Sequence, residues 1–114
     1  VEVNRVDMKK LSITDQVKIA SETAIYITMC GGGAMTATFL PKGATVILYY
    51  ESTGGHYNNK PTGKPARLDW DFFNNAAYIR SHWLPSETMD NEEDLNALMK
   101  LVEHELDIIS QEKY

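Results

Sequence analysis

Residues 25–50 constrain the fold more than any other part of the chain. They read Ile25-Tyr-Ile-Thr-Met-Cys-Gly-Gly-Gly-Ala-Met-Thr-Ala-Thr-Phe-Leu-Pro41, then Lys42-Gly43-Ala44-Thr45-Val46-Ile47-Leu48-Tyr49-Tyr50. An apolar run, a glycine cluster, a short helix over Ala34–Leu40, a Pro-Lys-Gly turn and a second apolar run predict a compact βαβ unit. The first strand, Ala24–Met29, is apolar on both sides except at Thr28, which fits a parallel sheet covered on both faces. The glycines fall at the carboxyl end of that strand. In open α/β sheets this edge presents backbone N–H groups and helix N-termini to ligands. The unit therefore points to an α/β ligand-binding half-domain that holds a phosphate-bearing group.

A chain of 114 residues accommodates one domain, spanning 1–114, or one lobe of a larger protein. Its 43% apolar and 24% charged content is ordinary for a globular protein. The net charge of −5 argues against a nucleic-acid partner, although Lys9, Lys10, Lys60, Lys64 and Arg67 are unevenly spread. The single cysteine, Cys30, rules out an internal disulfide framework and a Cys-rich zinc site. No run is long enough to span a bilayer, and no signal-peptide pattern is present. A start at Val1 rather than Met leads us to expect a processed or excised segment.

The remaining elements follow from periodicity and turn chemistry. Val1–Val6 alternates and predicts a short strand. Ser12-Ile-Thr-Asp15 is a helix start, with Ser12 or Thr14 as cap; the helix is expected to reach about Glu22 and to bury Ile13, Val17, Ile19 and Ala20. Ala44–Tyr50 is the second strand of the βαβ unit. Glu51–Leu68, rich in Gly, Pro, Ser and Asn, predicts a long polar loop. Leu68–Tyr78 is expected to be a helix opened by Asp69, Tyr78–Leu84 an extended segment, and Pro85–Asp90 a linker. Asp90 or Asn91 caps the last helix, and Glu92, Glu93 and Asp94 form its acidic first turn. Leu95, Leu98, Met99, Val102, Leu106 and Ile109 give that helix one apolar stripe.

Gly31-Gly32-Gly33 permits a close main-chain approach by a ligand. With a helix opening at Ala34-Met35-Thr36, N–H groups alone can bind a diphosphate. The plainer reading is a tight strand-to-helix turn. The spacing fits neither a dinucleotide fingerprint nor a P-loop. Cys30 at the mouth of the turn is a small buried hydrophobe in the plain reading and an activated thiol in the sharper one. Glu51 ends the second strand on the same sheet edge, where it either accepts from sugar or ribose hydroxyls or is simply solvated. His56, His82 and His104 share no metal-ligand spacing. His104 reads as a surface residue, and His82 either as a substrate contact or, in the plainer reading, as packed against the aromatic segment Trp70, Phe72, Phe73, Tyr78 and Trp83. Those aromatics are either core or a stacking platform. Asn74 and Asn75 mark a polar face toward a cleft or merely an exposed side.

Leu11-Ser12-Ile13-Thr14-Asp15-Gln16, Cys30-Gly31-Gly32-Gly33-Ala34-Met35-Thr36 and Phe39-Leu40-Pro41-Lys42-Gly43-Ala44-Thr45-Val46 together resemble the carboxy-terminal lobe of family sixty-one glycosyltransferases. That family shows Leu-Ser-x-x-Glu-Gln, His-Gly-Ala-Gly-Leu-Thr-Asn and Phe-Leu-Pro-x-Gly-Ala-x-Val in the corresponding places. The resemblance covers about a third of the chain, by count over Leu11–Tyr50. It implies a Rossmann-like lobe with a small, mainly parallel sheet flanked by helices, one half of a GT-B fold. It further implies that the N–H groups of Gly31–Thr36 bind the diphosphate of a nucleotide-sugar donor; with Cys30 at the mouth of the turn and Glu51 on the same sheet edge, the candidate substrate-binding residues are Cys30, Gly31, Gly32, Gly33, Ala34, Met35, Thr36 and Glu51, with no metal and no cofactor expected. The partners expected on this basis are a glycan or protein acceptor and an amino-terminal lobe outside this chain. The compartment implied is the secretory pathway. Cys30 and Thr36 depart from the family's histidine and asparagine, which bears directly on the donor contact. A noncatalytic α/β interaction module derived from such a lobe is the alternative, with the stripe Leu95–Ile109 docking a partner.

Overall fold

The structure, a computed structural model, describes residues 2–29, 32–50, 56–57, 60–61, 72–76, 78–85 and 92–111. It is an α/β protein built on a three-stranded parallel sheet. Helix α1 (Ile13–Ser21) leads to strand β1 (Ile25–Met29), a 3-10 helix (Gly32–Phe39) and strand β2 (Thr45–Tyr50). Two short strands follow, β3 (His56–Tyr57) and β4 (Lys60–Pro61), then strand β5 (Arg80–Pro85) and helix α2 (Glu92–Gln111). In the sheet β2 lies between β1 and β5, with Val46 opposite both Tyr26 and Ser81, and Ile47 opposite both Ile27 and His82.

Alternation along the strands sorts the side chains onto two faces. Tyr26, Val46, Leu48 and Trp83 share one face with Ser81. That face carries the apolar core, where Ala37, Leu40, Ala44, Phe73 and Ile79 close over it. Ile25, Ile27 and Met29, with Thr45, Ile47 and Tyr49 and with Arg80, His82 and Leu84, share the other. Helix α2 lies on this second side, because its Glu105 reaches Arg80 and His82. It runs antiparallel to the strands: Glu105 meets the start of β5, while Asp94 and Leu98 border a small cleft with Leu84 near its end.

Local chemistry explains the boundaries. Ser12 caps α1, its hydroxyl accepting from Asp15 N–H at 3.1 Å, as the sequence predicts. After the 3-10 helix the chain turns through Gly43, at φ 86°, a conformation that a side chain disfavours. Gly43 N–H donates to Tyr78 O over 2.7 Å, and Arg80 N–H to Ala44 O over 2.9 Å, so this turn also sets the start of β5.

Several expectations are corrected. Residues 2–6 form no strand and stay exposed, Val3 at 88%, since alternation alone gives an edge nothing to pair with. Ile13 is 77% exposed, on the outer side of α1. Strand β1 is not covered on both faces: Ile27 and Met29 stand 47% and 41% exposed, and β1 is the end strand of the described sheet. The helix expected over Ala34–Leu40 is a 3-10 helix that starts earlier, at Gly32. Within the expected loop 51–68, β3 and β4 pair antiparallel; its other residues lie outside those described. Of the helix expected over Leu68–Tyr78, residues 72–74 are helical and Tyr78 lies in a turn beyond its end; residues 68–71, Asp69 and Trp70 among them, are outside the described residues. Pro85 closes β5 rather than opening a linker.

Candidate functional site

The glycine segment sits where the sequence places it, after the carboxyl end of β1. Its helix begins inside the glycine run, so Gly32 and Gly33 form the first turn instead of preceding it. A helix starting there leaves the N–H groups of that turn without intrahelical acceptors. Cys30, Gly31 and Glu51 lie outside the described residues. Gly32, Gly33, Ala34 and Met35 are placed by their backbone in the 3-10 helix.

Thr36 can be followed to its side chain, and it faces inward. It is 7% exposed, and its hydroxyl donates to Gln16 Oε1 at 3.3 Å. Gln16 in turn donates through Nε2 to Met8 O at 2.8 Å and Leu11 O at 3.1 Å. Thus one amide ties the amino-terminal 3-10 turn (Met8–Lys10), α1 and the helix after the glycines into one unit. Tyr26 adjoins this network. Burial pushes its phenol up from the ordinary value, opposed by hydrogen bonding with Thr28 and Thr36. On the outer side, Tyr78 Oη donates to Thr38 O at 2.9 Å and holds the carboxyl half of the same helix.

A second polar cluster lies on the other face of the sheet. Arg80 donates through Nε to Glu105 Oε2 at 2.8 Å and through Nη2 to Glu105 Oε1 at 3.3 Å, and His82 Nε2 contacts Oε1. Glu105 is fully buried, whereas the Arg80 and His82 side chains keep partial solvent access. Burial works against ionisation of Glu105. The hydrogen bonds and charges of Arg80 and His82 outweigh it and hold the carboxyl below its ordinary value. Thr45, in register with Arg80, is fully buried, and its Oγ1 has no hydrogen-bond partner among the described residues. Farther along, Tyr49 is pushed up by burial and then by the charge of Asp94.

This cluster contradicts the expectation for His82, which turns away from the aromatic segment. Trp83 instead packs on Phe73 with ring centroids 6.2 Å apart, and its Nε1 donates to Asn74 Oδ1 at 3.1 Å. Phe73 is core, and Asn74 and Asn75 are exposed. His104 is exposed as expected. Glu105 escaped the sequence reading, yet a signal existed. An acid at helical spacing from Leu98, Leu101, Val102 and Ile109 sits inside an apolar stripe, and Arg80 and His82 alternate on one strand face. Among the described residues no group of three or more His, Cys, Asp or Glu is placed to hold a metal, and no helix is long and apolar enough to cross a membrane.

No protein family, curated protein or solved structure matches the chain.

Proposed function

We propose that the chain is the carboxy-terminal, donor-binding lobe of an inverting, metal-independent glycosyltransferase of GT-B type. The observation that carries this reading is the start of a helix at Gly32, within a glycine run at the carboxyl end of a parallel strand. A nucleotide-sugar diphosphate would accept from the N–H groups of Gly31 to Thr36, with Glu51 on a ribose or sugar hydroxyl. In transfer, a base takes the proton of an acceptor hydroxyl, and that oxygen attacks the anomeric carbon. The nucleoside diphosphate leaves with the bonding pair, its growing charge met by helix-end amides. The base belongs to an amino-terminal lobe, the acceptor is a glycan or protein, and the compartment is secretory. Calorimetric titration with uridine and guanosine diphosphates tests the reading: saturable binding abolished by Gly32→Val supports it, and no binding by a folded sample overturns it.

Two observations favour the alternative, a noncatalytic interaction module descended from such a lobe. The Thr36 hydroxyl is spent on Gln16. The acidic first turn of α2, Glu92 to Asp94, occupies the same edge of the sheet, where it disfavours a diphosphate. On this reading the folded chain binds neither nucleotide.

A further inference from the structure

We propose that α2 is a detachable cover, which leaves the sheet as a unit while the strands and the apolar face stay folded. The two faces are closed in different ways. The buried apolar cluster lies wholly on the side away from α2. Of the 20 residues of α2, Glu105 alone is buried, and the apolar Leu95 and Met99 are 41% and 56% exposed. On the sheet face that α2 lies against, however, the central strand is fully closed: Thr45 and Ile47 are 0% exposed and Tyr49 4%.

The polar terms of this contact oppose docking as much as they support it. Glu105 gives up its hydration entirely for bonds to Arg80 and His82, and such buried pairs return little beyond their desolvation cost. The Thr45 hydroxyl is buried on α2's side of the sheet with no partner among the described residues, a cost relieved when water reaches it. Docking therefore rests on half-buried apolar contacts, whereas β2 is hydrogen-bonded on both edges and packed on the core. Elements with few buried apolar contacts open below the global unfolding free energy. Opening of α2 uncovers Thr45, Ile47 and Tyr49 on the central strand.

Native-state hydrogen exchange on the whole chain, at increasing low denaturant, tests this. Amides of residues 98–109 are expected to exchange at least about ten-fold faster than those of 45–49, with a weaker denaturant dependence. Glu105→Ala is expected to speed exchange in 98–109 by about a further ten-fold while leaving 45–49 unchanged. Equal rates and equal denaturant dependence for the two segments in the unaltered chain would overturn the proposal, and this comparison decides the matter even if the variant does not fold.

Discussion

Arg80 Nε and Glu105 Oε2 meet at 2.8 Å, joining the last strand to the last helix through a carboxylate that solvent does not reach. The Glu105 carboxyl is held below its ordinary value of 4.5, so the unfolded chain binds this proton more tightly than the folded one. The stability it contributes is complete above the unfolded value and is lost as pH falls through the folded one. The melting temperature of the unaltered chain should therefore fall more steeply than that of Glu105→Gln between about pH 5 and pH 3. Parallel acid profiles for the two proteins would show that Glu105 does not carry this term.

Thr45 offers the opposite case, a polar atom that the fold buries without use. Its Oγ1 has no hydrogen-bond partner among the described residues, while its strand is fully buried at that point. Valine keeps the shape and the β-branch and removes the hydroxyl. Thr45→Val should raise stability by about 1 kcal/mol in urea denaturation, the desolvation cost of an unmet hydroxyl. Destabilisation would mean that the hydroxyl is satisfied in solution.

Much of this architecture is legible in the sequence, and the parts that are not fail for identifiable reasons. The β1–turn–helix–β2 unit, the Ser12 cap and the acidic start of α2 follow from local chemistry, and the structure has them. Coverage of a strand does not follow from its composition. Ile25–Met29 and Thr45–Tyr50 look equally apolar, but of the two only the central strand is enclosed; the other is an edge of the described sheet. The Glu105 cluster depends on a helix and a strand about two dozen residues apart meeting face to face, which no local window contains. Of the glycine site, the position relative to the sheet was readable. The inward engagement of Thr36 was not, because its partner Gln16 lies in α1.

That Thr36–Gln16 contact should behave as part of one network rather than as an isolated bond. Gln16 also serves Met8 O and Leu11 O, so Gln16→Leu leaves two main-chain carbonyls and the Thr36 hydroxyl without it. Gln16→Leu should cost about 1–3 kcal/mol and Thr36→Val less. The double variant should be less destabilised than the sum of the two, by about 0.5 kcal/mol or more, as for residues sharing a partner. Strict additivity in chemical denaturation would show that the two side chains act separately.

Gly43 tests the turn that joins the glycine helix to β2. At φ 86° an alanine pays for its Cβ, and the displaced main chain would strain the 2.7 Å bond to Tyr78 O. Gly43→Ala should lower stability by about 1 kcal/mol or more, without loss of helix content by circular dichroism. An unchanged midpoint would mean that the turn relaxes at no cost.

The donor-lobe reading also predicts how metal removal should act and what the chain should do by itself. Main-chain N–H groups need no bridging cation to meet a diphosphate, since the helix end supplies the positive potential. Chelation with EDTA should therefore leave nucleoside diphosphate affinity unchanged within about two-fold, whereas added salt should weaken it by screening. Turnover is a separate matter. The proposed base lies on another lobe, so the 114-residue chain should release no nucleoside diphosphate from a panel of nucleotide sugars offered with acceptor. Binding that survives EDTA without turnover is the combined signature expected of this lobe. Turnover by the chain alone would place the base among its own residues, and binding lost on chelation would replace amide recognition with a metal bridge.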